Sequence, residues 1–239
     1  MNHRAADRLR PTTIERFPGG APGSVIIAAG QTRVLCTASV QADVPRWIKR
    51  DPDSGEPVHG WVSAEYAMLP GSTPQRKKRG SDGRGTEIQR LIGRVLRASV
   101  DMDAMPGLAV TCDCDVLVAD GGTRTAAITG AYVALRQALT WAAEQDRLKN
   151  LEAAMPSNRQ VAAVSVGVID GTPTLDLDYP LDVRAEVDMN VAMTAAGRFI
   201  EVQGTGEKGS FDRAELDRLL DLATAGIREL MDIQRSAIS

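Results

Sequence analysis

Apolar and polar positions along the chain repeat with two different periods, and the switches between them mark out the elements. Residues 24–29 and 33–40 alternate with a period of two around Gly30-Gln31, the pattern of a β-hairpin. A polar connection containing Pro and Asp, 47–60, leads to a short strand at 61–68. A loop at 70–85 follows and carries the run Arg76-Lys77-Lys78-Arg79. Ile88, Leu91, Ile92, Val95, Leu96 and Val100 then recur at i, i+3, i+4 and i+7, which places them on one face of a helix. Thr86 followed three positions later by Gln89 fits a capping box and predicts that this helix starts at Thr86.

The second half repeats the alternation of periods. An alternating strand at 109–118 runs into the turn Asp120-Gly121-Gly122-Thr123, which opens a second helix with Ile128, Ala131, Leu135, Leu139 and Ala142 at helical spacing. After a linker at 150–160, residues 161–169 and 172–178 form a hairpin around Asp170-Gly171, a strong two-residue turn signal. Strands are predicted at 185–194 and 198–203. The last helix is predicted at 212–235, with Leu216, Leu219, Leu220, Ala223, Ile227 and Leu230 facing inward. No internal repeat is visible. The pattern predicts an α+β (mixed α/β) fold in one domain spanning 1–239, with helices packed on mixed, largely antiparallel sheets.

Composition narrows the function classes. The 239 residues carry a formal net charge of −3, with 43% hydrophobic and 25% charged residues. These are the proportions of a globular chain, not of a disordered one. A pI near 5.5 excludes a uniformly basic nucleic-acid binder. No apolar run reaches the ~18 residues of a membrane span, and the first residues lack a signal-peptide core, so a cytoplasmic protein with no membrane partner is expected. The three cysteines are an odd number for a disulfide framework. Cys112 and Cys114 lie on one face of a strand, either as small buried apolar residues or as a metal or redox pair. With only His3 and His59, histidine-based zinc sites and Ser-His-Asp triads have almost no material.

Charge is distributed unevenly along the chain. From Arg76 to Arg97 there are eight bases and two acids, and from Asp170 to Asp188 six acids and one base. Two glycine-flanked helix starts each carry an arginine: Gly83-Arg84-Gly85-Thr86 and Gly121-Gly122-Thr123-Arg124. A helix N-terminus offers unpaired N–H groups and about half a positive charge. An arginine beside it adds a planar donor fork suited to phosphate oxygens. Plain turn chemistry also explains such glycines, but two elements in one chain point more strongly to phosphate than one. In Glu186-Val187-Asp188-Met189-Asn190-Val191 the polar side chains share one strand face, and Asp182 precedes it in a turn from which it could fold back beside Asp188. This reads as a Mg²⁺-holding carboxylate pair or as an acidic surface loop. The stripe Arg90, Arg94 and Arg97 reads as a solvated face or as a phosphate-backbone or subunit contact. Gly204-Thr205-Gly206-Glu207-Lys208-Gly209 matches a dinucleotide fingerprint in letters, but no strand follows to complete the βαβ unit, so a flexible turn is expected.

Longer segments carry a resemblance over nearly the whole chain: RAADRLRP, VLCTASV, VPRW, AEYAMLP, EIQRLIGRVLRA, CDCDVLVADGGTRTAAITGAYVAL, AAVSVG, EVDMNVAMT and IEVQGTGE. With these the sequence resembles the ribonuclease PH family of phosphorolytic 3′→5′ exoribonucleases and, more distantly, polynucleotide phosphorylase and the exosome core. The resemblance implies a ribonuclease PH-like fold with a two-layer βαβα-type core, assembled as a ring-shaped homohexamer, a trimer of dimers. It implies trimming of the 3′ ends of precursor tRNA and other RNAs, with inorganic phosphate as co-substrate and nucleoside 5′-diphosphates released. A phosphate site is implied at Arg84 and at Gly122, Thr123 and Arg124. Asp182 and Asp188 match the family's acidic pair, to which catalysis and Mg²⁺ binding are assigned, and Arg76, Lys77, Lys78 and Arg79 stand where tRNA is held. Where the family usually has Gly-Gly-Arg-Thr before EIQRL, this chain has Asp82-Gly83-Arg84-Gly85. Two other classes fit parts of the pattern, a Mg²⁺-dependent hydrolytic exoribonuclease and a non-catalytic RNA-binding ring subunit.

Overall fold

The structure, a computed structural model, describes residues 4–80 and 82–238; His3 falls outside them. Two sheets and the helices between and beside them give a layered βαβα arrangement. The first sheet has the order β1-β2-β3-β5-β4, built from β1 (Thr12–Arg16), β2 (Gly23–Ala29), β3 (Thr32–Gln41), β4 (Trp61–Met68) and β5 (Ala109–Val118). Neighbours are antiparallel except β4 and β5, which run parallel because α1 (Gly83–Ala98) carries the chain from one to the other. The second sheet, β7-β6-β8-β9, is antiparallel throughout. It consists of β6 (Val161–Ile169), β7 (Thr172–Leu175), β8 (Val187–Thr194) and β9 (Phe199–Gly206). Helix α2 (Thr123–Glu144) lies between the sheets, α5 (Arg213–Ile238) covers the far face of the second, and α3 (Leu151–Ala154) and α4 (Tyr179–Arg184) are short.

Burial explains this order. All nine residues of β6 are buried, because alternate side chains meet different helices. Ala163 faces α2, whereas Ala162, Val164, Val166 and Val168 pack with Leu219, Ala223 and Ile227 of α5. Helix α2 is buried on nearly every side, although its apolar spacing alone predicts one inner face. Its small residues permit this: Ala134 comes so close to β2 that a Cβ on Gly23 would stand 1.9 Å from its carbonyl oxygen. Cys36, Cys112 and Cys114 are unpaired by disulfides and buried in the first sheet, the small apolar alternative.

Several boundaries differ from the sequence reading. Helix α1 starts at Gly83, three residues before Thr86, because Asp82 caps it by accepting a hydrogen bond from the Gly85 N–H at 2.6 Å. The turn read around Asp182 is α4, capped by Asp178 with a Pro in its first turn. Strand β1 has no alternation strong enough to mark it and is held by pairing with β2. Gly204 and Gly206 belong to β9, paired with Met189 and Val187, so the first half of the fingerprint ends a strand, and Glu207, Lys208 and Gly209 form the bend that follows. Of the arginine stripe, Arg90 and Arg94 are exposed, Arg94 pairing with Glu201, whereas Arg97 is partly buried and stacks over Trp61 at 4.7 Å.

Candidate active site

The turn Asp120-Gly121-Gly122 is braced from beneath by residues distant in sequence. The Thr32 hydroxyl donates to the Gly121 carbonyl at 2.8 Å, and its oxygen accepts from the Asp120 N–H at 2.9 Å. Arg10 donates to the Asp120 carbonyl at 2.6 Å, while its Nε and Nη2 hold the two carboxylate oxygens of Asp176 at 3.0 and 2.7 Å. Arg10 and Asp176 are both buried. Gly121 and Gly122 have φ of +74° and +64°, in the left-handed region that favours glycine. A Cβ on Gly121 would also lie 2.6 Å from the Leu177 carbonyl oxygen. The result is that α2 begins at an N-cap without a side-chain hydrogen bond, leaving its first N–H groups available to an anion.

Side chains from six other elements converge on this helix end. Arg124, in the first turn of α2, donates to Gln203 of β9 at 2.8 Å and lies 3.4 Å from Glu87 of α1. Thr123 Oγ1 lies 2.8 Å from the Tyr66 hydroxyl of β4. Together with Arg84, Ser165, Tyr179, Asp182, Asp188 and Asn190, residues 121–124 line a cleft of about 890 Å³. Arg76 and Lys77 border the same cleft; Lys78 and Arg79 are exposed farther along the loop and do not. The face of β8 that carries Asp188 and Asn190 is therefore a cleft wall, and Val187, Met189 and Val191 are buried on the other side.

The acidic wall is electrostatically loaded. Partial burial pushes the Asp188 carboxyl up to about 6, with the neighbouring Asp182 adding to the rise and Arg124 opposing it. The Asp182 carboxyl is also raised, mainly by desolvation, with Arg84 and Arg124 acting in the other direction. Two carboxylates whose charge is disfavoured, that of Asp188 in part by Asp182, are a fitting donor set for Mg²⁺, which takes one or two protein carboxylates and completes its shell with water and substrate phosphate. No larger cluster of metal-ligating side chains occurs among the described residues.

Sequence comparison decides what family this cleft belongs to. Residues 8–139 match the first domain of the 3′ exoribonuclease family, and residues 159–226 match its second domain. The chain belongs to the ribonuclease PH family. It is 54% identical over 241 residues to ribonuclease PH of Corynebacterium efficiens, covering 98% of this chain and 94% of that one. Its fold is shared with the Archaeoglobus fulgidus exosome with RNA bound to its active site, at a TM-score of 0.78 and 20% identity over 97% of this chain and 91% of that one. Rrp46 of rice (Oryza sativa) gives a TM-score of 0.76 at 17% identity, over 99% and 98% of the two chains.

Within this family fold, the residues picked out from sequence lie at the cleft surface except Lys78 and Arg79, which stand beyond it. The roles of Tyr66, Arg10, Thr32 and Gln203 depend on partners far away in the chain, which spacing along the sequence does not reveal. Asp176 was grouped with the acidic run, yet it sits in a buried ion pair; its partner Arg10 is 166 residues distant. The segment RAADRLRP, which contains Arg10, carried the resemblance but no role. Of the histidines, His59 bonds with the Gly60 carbonyl at 2.8 Å, away from the cleft. No helix is long and apolar enough to cross a membrane among the described residues.

Proposed function

We propose that this chain is a phosphate-dependent 3′→5′ exoribonuclease that trims the 3′ ends of precursor tRNAs, converting RNA(n+1) and inorganic phosphate into RNA(n) and a nucleoside 5′-diphosphate. The observation that carries the reading is the convergence of an uncapped helix N-terminus, two arginines and two carboxylates on one cleft. Phosphate is the nucleophile: one of its oxygens bonds to the phosphorus of the terminal phosphodiester, the bond to the departing ribose 3′ oxygen breaks, and that oxygen takes up a proton.

The physical obstacle is the approach of one anion to another. Two unit charges 4 Å apart repel by about 4 kcal/mol at an effective dielectric near 20. Charge-assisted hydrogen bonds from Arg84 and Arg124 contribute about 1.5–3 kcal/mol each, comparable together to that repulsion. The α2 N-terminus and Thr123 fix the phosphate in one orientation, so that attack is in line. Asp182 and Asp188 would hold Mg²⁺, which supplies charge neutralisation for the phosphates between them and the arginines. Arg76 and Lys77 at the cleft, with Lys78 and Arg79 beyond it, form a basic track for the RNA backbone.

The reading includes a single domain spanning 1–239, supported by a main core cluster that draws on residues of both sheets. Strand β9 is an edge strand exposing Phe199 and Val202, which supports assembly into a ring-shaped homohexamer. Three reduced, buried cysteines are in keeping with a cytoplasmic location. Incubation with a 3′-extended tRNA, with and without inorganic phosphate, tests the reaction. Nucleoside diphosphates released only with phosphate are the expected outcome. Monophosphates released without it would point to hydrolysis, and no release with retained RNA binding would point to a non-catalytic subunit.

A further inference from the structure

Tyr66 sits on β4 behind the phosphate-site residue Thr123 and does not border the cleft itself. Its side chain is buried, and its hydroxyl lies 2.8 Å from Thr123 Oγ1. Neither hydroxyl has a second hydrogen-bond partner among the described residues. Two hydroxyls joined by one bond carry two hydrogens, so one hydrogen is used and the other must point elsewhere. If Thr123 donated, the Tyr66 hydrogen would be left buried with no acceptor, at the full desolvation cost of an unpaired donor. If Tyr66 donates, the Thr123 hydrogen swings into the cleft, where water or an anion accepts it. Burial also raises the Tyr66 phenol above its ordinary range, so the proton stays on Tyr66.

We propose that Tyr66 is a positioning residue that donates to Thr123 and thereby turns the Thr123 hydroxyl into a dedicated donor toward inorganic phosphate. The proposal rests on the phosphate site assigned above. Its physical content is the direction of a short relay, from Tyr66 O–H to Thr123 Oγ and from Thr123 O–H to a phosphate oxygen. Each link polarises the next, so the outer bond is stronger than an isolated threonine would make. Phosphate oxygens are predominantly acceptors, and a threonine left to rotate freely would spend part of its time presenting the wrong polarity.

The test is a double-mutant cycle on phosphorolysis of a 3′-extended tRNA with inorganic phosphate varied. Tyr66→Phe is expected to raise KM for phosphate about five- to tenfold, with kcat and KM for RNA changed by less than about twofold. Thr123→Val is expected to raise KM for phosphate further, and the double variant to match Thr123→Val alone, because the relay ends at Thr123. An unchanged KM in Tyr66→Phe beside an impaired Thr123→Val overturns the relay, as do additive losses in the double variant. A normal Thr123→Val overturns the phosphate site on which it rests. Should Tyr66→Phe melt far below the parent, 3-fluorotyrosine at position 66, which keeps the ring and the donor, decides instead. Retention of the parent KM is then expected, and a rise to the Thr123→Val level overturns the proposal.

Discussion

The N-termini of α1 and α2 read alike, glycines next to an arginine at the mouth of one cleft, but their free N–H groups meet different fates. At α1, Asp82 accepts the Gly85 N–H at 2.6 Å, and the Thr86 hydroxyl bonds back to the Asp82 carbonyl at 3.1 Å. A carboxylate therefore already occupies the place an anion would take. At α2, Gly122 has no side chain with which to do this, and the turn below it is held instead by Thr32 and Arg10. One helix contributes Arg84 as a side chain; the other contributes its backbone as well as Thr123 and Arg124. A glycine-flanked helix start becomes an anion site only when the N-cap leaves its N–H groups unspent.

Three substitutions probe that difference, the first with the largest effect. Arg124→Ala should lower kcat/KM for phosphate about a hundredfold, the upper part of the range for a hydrogen bond to a charged group, while tRNA binding stays within about twofold. Lost tRNA binding with normal phosphorolysis would remove Arg124 from the phosphate site. Arg124 also has the more constrained setting, since Gln203 and Glu87 fix its guanidinium.

The second substitution addresses the acidic wall opposite α2. The Asp188 carboxyl, at about 6, lies above the ordinary value of 3.8, so the folded state binds its proton more tightly than the unfolded state does. Its contribution to stability is complete below about pH 4 and is lost as pH rises through 6. In buffer with a chelator, Asp188→Asn should therefore gain about 1–2 kcal/mol over the parent at pH 7–8 and nothing at pH 4, allowing for solvent screening. Denaturant unfolding at both pH values measures this, and a difference independent of pH would contradict the loaded wall. On the Mg²⁺ role proposed above, turnover should fall sharply in the same variant, because a neutral amide binds the ion more weakly than a carboxylate.

Asp82→Ala should have the smallest effect. Removing the cap from α1 costs about 1 kcal/mol of stability, visible as a lowered Tm. KM for phosphate should remain within about twofold, since the proposed phosphate site uses the N-terminus of α2 and not that of α1. A large rise in KM would erase the distinction between the two helices.

Much of this was legible before folding. The strand at Trp61–Met68 and the hairpin turn at Asp170-Gly171 follow from alternation and turn chemistry, which act over a few residues. The surface chemistry was legible too, because Arg84, Arg124, Asp182 and Asp188 sit in recognisable segments. What stayed hidden was either local but ambiguous, as with Asp82 and Thr86 competing to start α1, or non-local. The burial of α2 on nearly every side illustrates the second kind: its alanines tolerate a sheet on each side, but spacing alone does not say that two sheets are there.

The sequence by itself determined the family, the charged groups that chemistry would need and most of the elements, though not β1, α3 or α4, since periodicity, turn residues and long motifs are properties of neighbours along the chain. Only the tertiary structure decided which helix end is open, that Asp176 is a buried partner of Arg10 and not a free cleft acid, and that Tyr66 stands behind Thr123. Those outcomes depend on which groups lose water together. Desolvation and hydrogen-bond pairing are settled between residues as far apart as 10 and 176, where the spacing of side chains along the chain carries no information.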